Sequence, residues 1–394
     1  MNLYEFEGKN IFEHFLIQTP IGVTVRRKDD ITAAYAQLDF EEVVVKAQVL
    51  SGKRGKNNGI RFCSNKEEVI AAVNDLFETE ILGQYVAAVR IEEKLHIAEE
   101  HYLSISYDTN TQQPVVVYSK KGGVDIEDVA DEDITTFHLP VNEEAPTDTG
   151  IPFLAELWKC FLYEDCRVAE INPLVKTVDG SWIAADAKVA LDDDAFYRHT
   201  TEMLKKETTK GRVDWESFEA RTMLGRPPTE REVAVQEIDK GEKYYQGTAG
   251  KYIEMEGDIA ILFSGGGASI ANMDSLMAEG LAPANYTEYS GNPPREKVAA
   301  LAKIVLSKPG LKGLWIAGGV ANFTNIQETF QGIVDALDEV KPTYPIVVRR
   351  AGPYEEEGKQ LMRECAERNN LNMQLFGKEM SMSESAKVLA EAIV

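Results

Sequence analysis

Residues 169–190 read AEINPLVKTVDGSWIAADAKVA, two β-rich runs flanking Val178-Asp179-Gly180-Ser181. Asp-Gly between such runs is a strong hairpin signal. Pairing about that turn sets Asn172 opposite Asp186, give or take one residue. Pro173 has no N–H to give a ladder, so a bulge or a sheet edge is expected there. Glu170 lies two residues before Asn172 and shares its face. That face then carries two carboxylates and an amide oxygen. These are hard ligands that suit Mg²⁺, with waters and substrate phosphates completing its shell. The alternative is a hairpin whose polar residues simply face water.

At 394 residues the chain has room for two or three domains with substantial cores. Its formal net charge of -23 argues against a nucleic-acid or anionic-membrane surface, since either needs a basic face. No run approaches the roughly 18 apolar residues of a membrane span. The start, MNLYEFEGKN, lacks the basic and apolar regions of a signal peptide. Cys63, Cys160, Cys166 and Cys365 form no CxxC pair and no metal spacing, which points to reduced thiols in the cytoplasm. His14, His96, His101, His138 and His199 are scattered, none beside a Gly-rich turn, and read as structural.

In the N-terminal half, residues 3–16 have helical periodicity, with Leu3, Phe6, Ile11, Phe12 and Phe15 near one face. Residues 31–38 and 67–77 are further helices. Residues 42–50, EVVVKAQVL, form a valine-dense strand with Lys46 at its centre. A lysine inside such a strand is costly unless its ammonium meets an anion. The loop that follows, SGKRGKNNG (51–59), interleaves glycines with Lys53, Arg54 and Lys56. Glycine lets backbone N–H groups approach a phosphate, and the cations neutralise its charge. The GxxxxGK[ST] pattern is absent, which disfavours a P-loop NTPase; a solvated basic loop is the other reading. Antiparallel strands are expected at 85–91, 101–107 and 115–118. Between the first two lie Glu92, Glu93, Glu99 and Glu100, suited to a ribose hydroxyl, a second metal or simply water. A helix over 153–161 feeds the hairpin. Residues 210–245 read as an interdomain connection with a helix near 230–240.

From Asp258 onward the rhythm changes to strand–turn–helix. Apolar runs at 259–263, 313–317, 346–348 and 373–376 alternate with helical stretches at 268–278, 295–306, 326–337, 356–368 and 384–393. This is the pattern of an α/β fold with a flavodoxin-like, doubly wound parallel sheet. It divides the chain into domains at 1–245 and 246–394. Two Gly-rich turns, Ser264-Gly265-Gly266-Gly267 and Gly318-Gly319, are expected to leave strands and open helices, whose N-termini attract anions. The GxGxxG fingerprint is absent from both, which disfavours dinucleotide binding. NYTEYSGN (285–292), ANFTN (321–325) and Arg349-Arg350 add amides, hydroxyls and cations that favour a polycarboxylate or phosphate. Tight-turn glycines with no ligand are the alternative.

Together these residues resemble a family. Lys46, the GKRGK loop (52–56), GGVD (122–125), EINPLV (170–175) and Ala185-Asp186-Ala187-Lys188 are similar to β subunits of ATP-grasp acyl-CoA synthetases, of which succinyl-CoA synthetase is the best-known member. The resemblance runs almost end to end. KRGK (53–56), SGGGAS (264–269), ANYTEYSG (284–291), GGVANFTN (318–325) and VVRRAGP (347–353) resemble ATP-citrate lyase rather than succinyl-CoA synthetase. The length is similar to that of the small subunit of a two-subunit ATP-citrate lyase. The resemblance implies an N-terminal ATP-grasp domain followed by a CoA-ligase-type domain. It implies nucleotide-phosphate contacts from Lys46, Arg54 and Gly55, and adenosine and ribose contacts from Glu92, Glu100 and the backbone near Leu95. It implies Mg²⁺ ligands at Asn172 and Asp186, and a catalytic carboxylate, Glu170, facing a phosphorylated histidine. The citrate positions correspond to Ser264, Gly265, Gly266, Ser290, Gly291, Asn322, Phe323, Thr324 and Arg350. Two positions depart from the family pattern. Lys121 precedes Gly122-Gly123 where an acid is usual, and a tyrosine expected near the citrate has Tyr344 as its candidate.

In that family ATP phosphorylates a histidine, which passes the phosphoryl group to citrate. Coenzyme A then displaces phosphate, and citryl-CoA is cleaved to acetyl-CoA and oxaloacetate, chemistry that serves the reductive tricarboxylic acid cycle. No histidine here lies in a Gly-rich turn such as GHAGA. The resemblance therefore assigns the phosphohistidine, most of the coenzyme A site and the lyase domain to a large (alpha) partner subunit of a hetero-oligomer. Three rivals share these motifs: a citryl-CoA synthetase large subunit, a succinyl-CoA synthetase β subunit, and a regulatory nucleotide- and carboxylate-binding module.

Overall fold

The computed structural model describes all residues except 53, 147, 219–227, 241–244 and 394. Two units emerge, Met1–Pro227 and Pro228–Val394.

The first unit begins with α1 (Glu5–His14), β1 (Gly22–Val25), α2 (Ile31–Tyr35), β2 (Val43–Gln48), β3 (Ile60–Cys63) and α3 (Lys66–Phe77). A small hairpin, β4 (Glu80–Ile81) and β5 (Gln84–Tyr85), precedes β6 (Ala88–Glu93). Strands β1, β6, β2 and β3 pair antiparallel in that order. Alternation along β2 sends Val43, Val45 and Ala47 into a core with Val69, Val73 and Leu76 of α3. Lys46 and Gln48 face the other way, toward α1, so every residue of β2 is buried. The expected strand at 85–91 is β6. It joins β1 and β2 rather than pairing with its successor, because the short connection at 94–96 carries the chain into a second sheet.

That sheet contains β7 (Ile97–Asp108), β8 (Gln113–Ser119) and β9 (Ile134–His138), then, after α4 (Leu154–Tyr163), β10 (Cys166–Thr177), β11 (Trp182–Ala184) and β12 (Lys188–Leu191). Its order is β11-β10-β7-β8-β9, with β12 also on β10. Ile11 and Phe12 of α1 and Leu157 and Phe161 of α4 pack on Leu103 and Ile171. The expected interdomain connection is split between the units. Trp215 is buried and stacks on His199 with centroids 3.7 Å apart. Its Nε1 donates to Glu164 Oε2 (3.1 Å), and the Val213 N–H donates to Glu164 Oε1 (2.9 Å). These contacts hold the chain up to 218 on the first unit.

The second unit opens with α5 (Glu230–Gln236) and β13 (Thr248–Glu254). Val235 enters its core and Arg231 pairs with Glu254, which places the boundary at 227 rather than 245. There follow β14 (Ile259–Ser264), α6 (Gly266–Ala278), β15 (Asn285–Ser290), α7 (Arg295–Leu306), β16 (Gly313–Val320) and α8 (Ile326–Val340). The last elements are β17 (Ile346–Ala351), α9 (Glu355–Asn369), β18 (Met373–Phe376) and α10 (Met382–Ile393). The parallel strands run β15-β14-β16-β17-β18, the 2-1-3-4-5 order of flavodoxin, with β13 antiparallel on β15. Val298, Phe330 and Met362 cover one face from α7, α8 and α9; Leu276 and Leu389 cover the other from α6 and α10. The strand order reverses between β14 and β16, the point at which such sheets bind ligands beyond their carboxyl ends.

Candidate functional site

The central hairpin keeps the register read from its sequence. Leu174 pairs with Ala184 and Glu170 with Lys188, so the line runs through the break between β11 and β12 and sets Asn172 across from Asp186. The β10–β7 register shifts between Ile171 and Leu174, which is the bulge expected at Pro173. Asn172 Oδ1 accepts from the Gly123 N–H (2.9 Å), and its Nδ2 donates to the Val124 carbonyl (3.0 Å). Gly123 adopts φ +70°, and a Cβ there would stand 2.8 Å from Glu100 Oε2. Glu100 itself is exposed, and Leu95 lies in the connection between β6 and β7. Glu170 Oε2 accepts from the buried Tyr102 hydroxyl (3.2 Å) and from Lys188 Nζ (3.2 Å).

Asp186 faces the cation of the Gly-rich loop. Arg54 Nη2 lies 2.7 Å from each of its carboxylate oxygens, and Arg54 Nη1 lies 2.5 Å from Glu5 Oε2. Lys46 Nζ meets Glu92 Oε1 (2.5 Å), Glu5 Oε1 (3.1 Å) and the Ala185 carbonyl (2.8 Å). Lys9 Nζ bridges Glu5 and Glu92 at 2.7 Å each, and Arg90 Nε holds Glu92 Oε2 at 2.8 Å. Among the described residues, four cations thus share three carboxylates, and all but Asp186 are buried. Burial pushes the Glu5 carboxyl up, but Arg54, Lys46 and Lys9 outweigh it and hold it well below the usual carboxylate value. Burial likewise lowers the Lys46 ammonium, and Glu5, Glu92 and Asp186 reverse that, keeping it charged. One positive charge remains in excess.

The structure brings Lys46, Arg54, Glu92 and Asp186 together. Glu92, expected beside a ribose, is 1 % exposed with both oxygens held by cations, which gives it the position of a partner to Lys46. Gly55 lies in a short helical turn, and Lys53 falls outside the described residues. Lys56 and Lys121 reach the surface acids Asp125 and Asp133. The sequence reading missed Glu5, Lys9 and Gln48. On α1 the buried side includes Glu5, Glu7 and Lys9, residue types that a periodicity reading assigns to water.

In the second unit the expected citrate residues converge on the carboxyl ends of neighbouring strands. Ser264 ends β14, and Gly265, at φ +93°, caps α6. Ser290 ends β15 and Gly291 follows it. Gly318 and Gly319 belong to β16 itself, and α8 opens only at Ile326, capped by Asn325, after a loop in which Asn322 and Phe323 are exposed and Thr324 is buried. Arg350 lies near the end of β17, 4 % exposed. Ser264 neighbours Tyr289 of β15 on one side and Gly318 on the other. Arg350 reaches in over Gly318: a Cβ at 318 would stand 2.7 Å from Arg350 Nη1 and 3.0 Å from Ser264 Cβ, so only glycine leaves that path open. Arg350 Nη1 donates to the Gly319 carbonyl, its Nε has no partner, and among the described residues no carboxylate pairs with it. Burial pulls this guanidinium below its ordinary value. A separate cavity of about 510 Å³, lined by Gly247, Gly291, Asn292 and Asn325, touches the expected set only at Gly291. Tyr344 precedes β17, at the opposite end of the strand from Arg350, so it is not the tyrosine at this end of the sheet.

Fold and site define an ATP-grasp protein joined to a CoA-ligase-type sheet. A model of the ATP-grasp domain matches residues 2–149, and one of ATP citrate lyase citrate-binding matches residues 226–393. The β subunit of an ADP-forming succinate–CoA ligase from Methanocaldococcus jannaschii is 32% identical over 420 residues, covering 100% of both chains. Its counterpart from Desulfurococcus amylolyticus is 32% identical over 92% of this chain and 94% of the other. The chain belongs to this succinate–CoA ligase β-subunit family of ATP-grasp acyl-CoA synthetases. Among solved structures, ATP citrate lyase from Methanothrix soehngenii in complex with citrate and coenzyme A superimposes with a TM-score of 0.75 at 26% identity, covering 99% of each chain. ATP citrate lyase from Methanosaeta concilii, in complex with (3S)-citryl-CoA, gives 0.73 at 25% identity over 99% of each. No helix among the described residues is long and apolar enough to cross a membrane.

Proposed function

We propose that this chain is the nucleotide- and citrate-binding subunit of a cytoplasmic ATP-citrate lyase, in which ATP phosphorylates a histidine of a large (alpha) partner subunit and the phosphoryl group passes to citrate. The observation that carries the reading is Arg350. It is a buried guanidinium without a carboxylate among the described residues, reaching from β17 over Gly318 toward the point where the strand order reverses, inside the stretch matched to a citrate-binding model. Citrate supplies the charge that position lacks. The relatives solved with citrate and with citryl-CoA support the same ligand.

Phosphoryl transfer asks a protein mainly to position groups and neutralise charge. Lys46 and Arg54 bring that charge to the phosphates, at a cluster with one cation in excess. Glu170, oriented by Tyr102 and Lys188, accepts from the imidazole of the phosphorylated histidine. Asn172 and Asp186 fit Mg²⁺. Both present hard oxygens, set opposite each other by the hairpin register; Asp186 Oδ1 serves both Arg54 and the Ala187 N–H, while Asn172 Oδ1 and Asp186 Oδ2 each keep a lone pair after serving Gly123 or Arg54. Bound there, the ion supplies further neutralisation of phosphate charge. Coenzyme A and the cleavage of citryl-CoA belong to the partner.

The test is calorimetry of the full chain with Mg-ATP, citrate and succinate, followed by assay with the partner subunit. The chain alone is expected to bind Mg-ATP and citrate and to form no citryl-CoA; with its partner it yields acetyl-CoA. Release of intact citryl-CoA would instead make it a citryl-CoA synthetase large subunit. Tighter binding of succinate than citrate would favour the second reading, a succinate–CoA ligase β subunit, which the names of the curated relatives support. An assembled complex whose activity survives Asp186→Ala would point to a regulatory module.

A further inference from the structure

Tyr289 is fully buried in the core cluster of the second unit that also holds Leu262 and Val298, yet among the described residues its hydroxyl has no hydrogen-bond partner. A phenylalanine would fill the same volume without leaving a buried polar group unserved. Two placements say what the hydroxyl is for. Tyr289 is the register neighbour of Ser264, and Ser264 is the neighbour of Gly318, the glycine over which Arg350 passes. The row Tyr289–Ser264–Gly318–Arg350 therefore crosses four adjacent strands on one face of the sheet. Each of its two ends carries an orphaned group, the Tyr289 hydroxyl at one and Arg350 Nε at the other. They are close enough for the guanidinium to act on the phenol: burial raises the Tyr289 hydroxyl and Arg350 opposes that rise. The phenol stays protonated and is a hydrogen-bond donor.

We propose that Tyr289 is a binding residue for the polycarboxylate held by Arg350, its hydroxyl donating to an oxygen of that acid. This rests on the citrate reading given above. A buried donor without a partner and a buried cation without a counter-ion among the described residues form a site that an oxygen-rich anion completes and an apolar group does not.

The experiment compares the full chain with Tyr289→Phe and Arg350→Met by calorimetry against citrate and by thermal unfolding without ligand. Tyr289→Phe is expected to weaken citrate binding about tenfold or more, to leave Mg-ATP binding unchanged, and to hold or raise the ligand-free unfolding midpoint. That opposite movement of affinity and stability is what a merely structural tyrosine would not produce. If Tyr289→Phe binds citrate as tightly as the parent while Arg350→Met does not, the proposal fails and the citrate reading stands. If the parent chain binds no citrate, both fall together. If Tyr289→Phe lowers the ligand-free midpoint by several degrees, the hydroxyl serves the fold, and the proposal is overturned.

Discussion

Among the described residues, four cations share three carboxylates at the heart of the first unit, whereas Arg350, at the carboxyl ends of the second unit's strands, pairs with none. On the function proposed, both regions receive anions, and they are prepared for them differently. Lys46 and Arg54 are already satisfied, so a phosphate reaching them exchanges partners with Glu5 and Asp186. The cluster is assembled before any ligand arrives, and its affinity is tempered by the pairs it must loosen. Arg350 has no internal pair to give up. Its desolvation has been met by the fold, and the anion that completes it gains the full interaction.

The contrast is broken most severely at Glu5. Glu5→Gln removes the acid shared by Lys9, Lys46 and Arg54 and leaves buried cations short of charge, which costs about 3–5 kcal/mol. Urea unfolding followed by hydrogen exchange in β2 and β6 reads that loss, and an unchanged midpoint would contradict the picture of a saturated cluster. Arg350→Met makes the opposite change. It removes a cation that lacks a counter-ion, so the ligand-free stability of the second unit moves by no more than about 1 kcal/mol. Citrate affinity falls by roughly 100-fold, the cost of losing one partner of a buried charge pair.

Acid separates the regions more gently. Glu5 and Glu92 are both held below their ordinary value of 4.5, because Lys46, Lys9 and, for Glu5, Arg54 outweigh the burial that would raise them. A carboxylate lowered by folding stabilises the native state above its unfolded value, and that contribution drains as pH falls through the folded one. Protection of β2 and β6 is therefore complete near neutrality and declines below about pH 4.5. The row Tyr289–Ser264–Gly318–Arg350 itself carries no carboxylate, and the nearest on its strands, Glu288 of β15, is paired with Lys251. In Glu5→Gln the pH dependence of β2 should flatten.

The same contrast explains what the sequence could disclose. Hairpin chemistry was legible because turn residues and strand period act locally: Asp179-Gly180 set the register, and Pro173 marked the bulge. The doubly wound sheet was legible for the same reason, from apolar runs alternating with helical ones. Arg350 stood out as a cation at the end of a buried strand. Glu5 and Lys9 did not, because a charged pair on a helix reads as a solvated face until Lys46 and Arg54 arrive from residues far along the chain. Tyr289 was hidden inside the polar stretch that contains it, since only the fold shows that its hydroxyl goes unserved. The domain boundary was misplaced because Trp215 and Val235, one residue in each core, decide it, and neither stands out locally.

The Gly-rich loop offers the smallest effect and the sharpest control. Arg54 and Lys56 are two residues apart and each pairs with an aspartate at 2.7 Å, yet Arg54 is 8 % exposed in its side chain and Lys56 is 64 %. An exposed ammonium is screened by water and salt, and holding a long flexible chain in one geometry offsets what Coulomb attraction remains. Lys56→Gln should therefore leave the unfolding midpoint where it was, at low and at physiological salt alike. A shift approaching that of Glu5→Gln would mean that proximity to the cluster, rather than removal from water, sets the strength of these pairs, and the distinction drawn between the two regions would lose its physical basis.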